Sequence, residues 1–219
     1  MERVLNIKGE GQIRIKPDTC MISLRLSHVV REYSDALRKS AVEVNEIKDL
    51  LEDLGLKRDE LKTKSYNVKA EYESYRDKDS NYRSKFIGYR YDEELVFKFP
   101  INNELLSEIL YNLGKSSVDA KISLSYIVLD EAKYKDECIR LAVENAKNKA
   151  ILIADAVGIT LGKPLRIDYN DRKSLGLDYD DYELSSPKLM SCCSDSRKID
   201  IEPDDIEAND SVEIVYEII

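Results

Sequence analysis

The stretch from Ala142 to Gly162, AVENAKNKAILIADAVGITLG, constrains the fold more than any other part of the chain. Ala142, Ala146, Ala150 and Ala154 recur at every fourth position. Residues four apart stack on one side of a helix, so the four methyl groups form a single, slowly rotating stripe. Such a stripe lets a helix lie close against a sheet. It points to architecture rather than to chemistry.

The 219 residues are read as a single domain, 1–219, large enough to bury a core without staples. No run reaches the roughly 18 apolar residues that a spanning helix needs. The opening MERVLNIKGEG passes straight into a strand pattern, with no apolar leader and no small-residue cleavage site. The four cysteines include no C-x-x-C pair and the chain has one histidine, which argues against a zinc site. Cys20 and Cys138 fall in strand and helix patterns and are expected to be buried. Cys192 and Cys193 fall in a polar stretch and are expected to be free thiols, because a bridge between neighbours is strained. The expectation is a reduced, cytoplasmic protein with no metal and no cofactor.

The net charge of -9 is concentrated. Between Asp168 and Asp210 there are thirteen acidic residues against five basic ones. The remainder is almost neutral and lacks the basic footprint of a general nucleic-acid binder. Residues 170–197 combine this acidity with no hydrophobic period, which predicts a flexible acidic loop before the last strand.

Alternation of apolar residues predicts the strands. Leu5, Ile7, Ile13 and Ile15 flank Gly9-Glu10-Gly11, read as a glycine-rich kink or bulge. Pro17-Asp18 marks a turn, and Cys20, Ile22, Leu24 and Leu26 share one face of the next strand. Ser34 is placed to cap a helix whose stripe is Leu37, Ala41, Val44, Ile47, Leu51 and Leu54, stopped by Gly55. Tyr66, Val68, Ala70 and Tyr72 then alternate, followed by Ile87, Tyr89 and Tyr91, and by Leu95, Phe97 and Phe99. Asn102 or Asn103 caps a short helix closed by Gly114. Ile122 to Val128 form a strand, and the long helix runs from about Glu131 to Val157 with Gly158 as its stop. After a turn at Gly162-Lys163-Pro164, Leu165, Ile167 and Tyr169 alternate; Val212, Ile214, Tyr216 and Ile218 close the chain. One-faced strands indicate an antiparallel sheet covered on one side. The prediction is a two-layer α+β fold of about seven or eight strands with three helices on one face, in the order ββα-ββα-βα-ββ.

Motifs for chemistry are weak. Gly158 to Pro164 lacks the spacing and the Ser or Thr of a phosphate loop, and it follows a helix rather than a strand. Gly9-Glu10-Gly11 lacks the third glycine of a dinucleotide fingerprint. Any nucleophilic set using histidine must use His28, which sits at the end of an apolar strand face and reads as a core-rim residue. The distinctive surface is a tyrosine-rich hairpin at 64–90, with Tyr66, Tyr72, Tyr75, Tyr82, Tyr89 and Tyr91. Seven basic residues, including Arg76 and Arg83, interleave with it against four acidic ones. Tyr66, Tyr72, Tyr75, Arg76, Tyr82, Arg83 and Tyr89 are the candidate interaction surface. Rings and cations together can stack on single-stranded nucleic acid or hold another anion. Tyrosine rings also pack on the sheet or on another subunit, which is the favoured reading.

In order and spacing these motifs resemble the SIMPL-domain family. The resemblance rests on Gly9-Glu10-Gly11, Pro17-Asp18, Leu54-Gly55, Leu61-x-Thr63, Gly88-Tyr89, the alanine-spaced helix with Gly158 and Leu161-Gly162, and Ile201-Glu202-Pro203. It covers nearly the whole chain except 170–197. It implies an α+β fold and self-assembly into large ring-like oligomers. Many relatives are exported to the periplasm or outer membrane, some are linked to oxidative-stress defence, and one eukaryotic relative associates with a signalling kinase. The family supplies no catalytic residues to carry across. The expectation is therefore a non-enzymatic, self-assembling homo-oligomer with a structural or stress-related role. The alternative is a binding module for an anionic ligand or single-stranded nucleic acid through 64–90; an enzyme using His28 or a carboxylate pair ranks third.

Overall fold

The computed structural model describes residues 3–76, 81–169, 181–184 and 201–219, the side chains of 181–184 excepted. In chain order the elements are β1 (Val4–Ile15), β2 (Thr19–Val30), α1 (Tyr33–Asp53), β3 (Lys62–Arg76), β4 (Tyr82–Pro100), α2 (Asn103–Lys115), β5 (Ala120–Ile127), α3 (Glu131–Val157), β6 (Leu161–Tyr169), β7 (Asp181–Leu184) and β8 (Ile206–Ile218). A short 3-10 turn, Arg58–Glu60, joins α1 to β3. The fold is α+β, with the predicted three helices and, among the described residues, eight strands. The strands divide between two sheets, β1-β8-β6 and β3-β4-β2-β5-β7. They belong to two compact units: Met1–Asp18 with Ile127–Tyr179 and Pro203–Ile219, and Thr19–Tyr126 with Asp180–Glu202.

The first unit is built on the alanine stripe. Cys138, Ala142, Ala146, Ala150 and Ala154 are the buried residues of α3. The first four pack on Ile7, Ile15, Ala208, Val212, Ile214 and Tyr216 of β1 and β8. The stripe has a partner that its sequence alone does not name. A Cβ on Gly9 would run into the carbonyl of Ala142 and sit 2.6 Å from Ala146 Cβ; one on Gly11 would run into the carbonyl of Cys138. Small residues on both layers set the close approach of helix and strand. The pairing of β1 with β8 is unbroken from Val4 to Ile15, so Gly9-Glu10-Gly11 is neither a kink nor a bulge. Asp130 caps α3 through Lys133 N, and Gly158 ends it.

β6 forms the other edge of this sheet and pairs with β8. Gly162-Lys163-Pro164 lies inside β6, at register shifts, rather than in a preceding turn. Proline is tolerated there because an edge strand leaves one side of its backbone unpaired. Leu165, Ile167 and Tyr169 alternate as predicted, yet all three are exposed.

In the second unit α1 and α2 contribute to one core with the five-stranded sheet, centred on Ile22, Leu24, Leu26, Leu95, Phe97 and Leu124. Asn102 caps α2 by accepting from Glu104 N and Leu105 N, and the helix continues through Gly114 to Lys115. α1 begins at Tyr33 without a side-chain cap, so Ser34 does not play that part. Its buried stripe is Ala36, Ser40, Glu43, Ile47 and Leu51, while Leu37 is exposed. The acidic stretch 170–197 lies outside the described residues, as do Cys192 and Cys193; only Asp181–Leu184 is placed, as β7 beside β5.

Candidate functional site

The tyrosine-rich hairpin forms as β3 and β4, but a bulge sorts its residues onto two faces. Glu71 pairs with Gly88 and Tyr72 with Phe86, which leaves Ile87 as the extra residue. Gly88 takes φ +145, and a Cβ there would strike the Val30 carbonyl. The alternation Ile87, Tyr89, Tyr91 is therefore interrupted. Phe86, not Ile87, joins Tyr89 on the helix-covered face. By register Tyr66, Tyr72, Arg76, Tyr82 and Tyr89 share that face, whereas Tyr75 and Arg83 oppose each other on the other side. The candidate surface is thus two surfaces.

The rings on the first face pack mainly on each other. Tyr72 meets Phe86 at 5.6 Å, Phe86 meets Tyr89 at 5.3 Å and Tyr89 meets Tyr33 of α1 at 5.7 Å, all near edge-to-face. Arg76 lies 4.7 Å from the centre of the Tyr82 ring and donates to its hydroxyl at 2.6 Å. On the second face three cations are neutralised within the sheet. Lys64 pairs with Glu94 at 2.9 Å, Lys69 with Asp92 at 3.6 Å, and Arg90 holds both oxygens of Glu71. The Arg90 hydrogen bond holds Glu71 below the usual carboxylate range.

A second constellation lies beneath α1. Glu43 and Glu93 are buried, and their oxygens are occupied by hydroxyls of the chain. Tyr91 donates to Glu43 Oε2 at 2.6 Å and Ser40 donates to Glu93 Oε2 at 2.7 Å. Thr63 donates to Glu93 Oε1 at 3.3 Å. His28 Nε2 sits 3.3 Å from Glu43 Oε1 without hydrogen-bond geometry, and its ring tilts against Tyr91. Lys39 Nζ reaches the same oxygen at 3.9 Å. Burial, then the bond to Glu43, pushes the Tyr91 hydroxyl well above its usual value, so it acts as a proton donor and not as a base. The set ties α1 to β2, β3 and β4 through a buried polar network.

His28 was visible as a rim residue, but Ser40, Glu43, Thr63 and Glu93 were not singled out. A signal existed. Glu93 is the one charged residue in the series Tyr91, Glu93, Leu95, Phe97, Phe99, and a charge at a core position of a strand calls for buried partners.

Cys20 and Cys138 are buried free thiols, and burial pushes the Cys20 thiol up to about 12. Neither is a ready nucleophile. Among the described residues no group of three or more His, Cys, Asp or Glu is placed to hold a metal ion. Nor, among them, is any helix long and apolar enough to cross a membrane.

These features define an α+β protein of two antiparallel sheets, with an alanine-striped helix laid on a glycine-bearing strand. The chain belongs to the SIMPL family, described as "Protein of unknown function (DUF541)", whose profile matches residues 5–216. It is similar to the "26 kDa periplasmic immunogenic protein" of Brucella melitensis biotype 1, with 22% identity over 214 residues, covering 97% of this chain and 83% of the relative. The protein of the same name from Brucella abortus strain S19 matches to the same extent. Both are named as periplasmic, which overturns the cytoplasmic expectation. That expectation rested on the opening residues and on cysteine usage, and neither reports where a folded domain works.

Proposed function

We propose that this chain is a non-enzymatic, self-associating protein of the cell envelope with a scaffolding role. The observation that carries the reading is an apolar surface of the first unit that no described residue covers. Ile167 of the edge strand β6 is 60% exposed, and Leu152 of α3 is 70% exposed, with Leu165 and Val157 exposed beside them in the same two elements. An apolar edge strand with free backbone groups is a site for association unless something covers it. A second copy is the occupant that the family resemblance favours, and the periplasmic relatives supply the envelope location.

Ile167→Asp tests the assignment. It places a charge on the exposed edge without touching the alanine core. Light scattering is expected to give a multiple of the chain mass for the unsubstituted protein and a smaller species for the variant, with unchanged melting. A monomer at about 100 µM, well above the range of specific assembly, would overturn the reading.

The alternative, an anion or nucleic-acid module at 64–90, has less support. Lys64, Lys69 and Arg90 are already paired with acids of the same sheet, and Arg76 is engaged by Tyr82. A stress role through thiols has no support from Cys20 or Cys138, which are buried.

A further inference from the structure

We propose that β3 is a self-recognition edge, at which the β3 strands of two copies pair antiparallel about a two-fold axis at Ala70. The inference rests on the self-association proposed above and gives it a second surface, separate from β6.

β3 is the outer strand of the five-stranded sheet and is exposed along almost its whole length. Edge strands are usually blunted by a proline, a bulge or a short run. From Ser65 to Arg76, β3 has none of these. The extra residue of the first register shift is Lys64, before this run, and that of the second is Ile87, on β4. Among the described residues no further strand pairs with these twelve, so the outer side of β3 presents backbone donors and acceptors.

The side chains on this edge are complementary to themselves. With the axis at Ala70, Lys69 of each copy stands opposite Glu71 of the other. Val68 stands opposite Tyr72, Asn67 opposite Glu73 and Ser65 opposite Tyr75, and at the ends of the run Arg76 faces Lys64, a like charge at the bulge position. Opposite charges facing across antiparallel strands stabilise the pairing, and like charges oppose it. Neighbouring axes lose this match. An axis at Lys69 sets that lysine against its own copy. One at Glu71 places Lys69 opposite Glu73 but sets the two glutamates at its centre against each other, and one at Tyr72 sets Glu71 against Glu73. An axis at Val68 sets Lys69 against Asn67 and forms neither ion pair. Within its own sheet Lys69 stands directly opposite Arg90, a like charge, and reaches Asp92 only diagonally. A facing Glu71 from a second copy adds a carboxylate directly opposite Lys69, beside the diagonal one of Asp92. Such a contact is isologous, so it closes a pair and does not propagate.

The test uses the full chain and two variants, Lys69→Glu and Glu71→Lys, followed by sedimentation of each alone and of an equimolar mixture. Each variant alone sets like charges against each other and is expected to lose one doubling of mass. The mixture sets two glutamates against two lysines and is expected to regain it as a mixed pair. Mixing cannot repair a folding defect, so loss of the Asp92 or Arg90 contacts within one chain would not be rescued. Variants that assemble like the unsubstituted chain would overturn pairing at β3 while leaving self-association through β6 intact. Loss of mass without recovery on mixing would overturn the Ala70 register. A monomeric unsubstituted chain would overturn both readings.

Discussion

At the scale of single residues, two glycines set the seam between helix and strand in the first unit. Gly9 and Gly11 lie where α3 touches β1, and a methyl group at either meets the helix backbone, which cannot rotate away as a side chain can. Gly11→Ala is expected to cost about 1–3 kcal/mol or more through overpacking, read as a lower urea midpoint with an unchanged slope. Ala154→Gly at the far end of the stripe removes only a methyl and helix propensity, and is expected to cost about 1–2 kcal/mol. The buried acids of the second unit give a pH dependence of definite sign. Cys20 is pushed up to about 12, and Tyr91 is raised as well. In the unfolded chain these groups lose protons near their ordinary values of about 8.5 and 10. Above those values the folded state binds more protons than the unfolded state, so stability falls as pH rises. Urea midpoints between about pH 8 and 11 are expected to decline. Cys20→Ala should flatten the early part of the decline, and Tyr91→Phe the later part. Midpoints that are level, or that rise with pH, would contradict the burial argument.

At the scale of elements, the hairpin shows how one residue alters a reading. Ile87 as an extra residue moves Phe86 and Tyr82 to the helix-covered face and Arg83 to the other, where Tyr75 already stands by the alternation of β3. The hairpin was legible from its alternation and its polar break. Its division was not, because a bulge replaces one apolar neighbour by another and leaves the composition unchanged. The same applies to α1. Leu37 and Ala36 are adjacent, and a rotation of one position exchanges an all-apolar stripe for one containing Ser40 and Glu43. The second stripe is the one that meets polar partners on the facing strand, Glu93 for Ser40 and Tyr91 for Glu43. For the hairpin as an element, the internal ion pairs predict that short single-stranded oligonucleotides show no salt-dependent affinity at low ionic strength. A steep loss of binding with added salt would reinstate the anion-binding reading.

For the whole molecule, the division into two units follows from two kinds of core. One is close-packed on small residues, with alanines and a cysteine of α3 against Gly9 and Gly11. The other is filled with large side chains such as Phe97, Leu24 and Ile109. Hydrogen exchange of the Gly11→Ala variant is expected to accelerate at α3, β1 and β8 and to leave β2 and β4 near their original protection. Uniform acceleration throughout would show one cooperative structure instead. The family profile spans residues 5–216 and so covers both units.

By itself the sequence determined the element types and nearly all their order, since hydrophobic period and capping residues are local properties. It also determined the family, because spacing along the chain is what a profile reads. The alanine stripe identified a helix that had to lie close to something. Tertiary structure alone decided what that was: the two glycines of β1, more than 125 residues earlier in the chain. It also decided that the strands form two sheets and that Glu43 and Glu93 are held by Tyr91, Ser40 and Thr63. These are contacts between residues far apart in the chain. Such pairings depend on registers and approach distances, which no local pattern encodes.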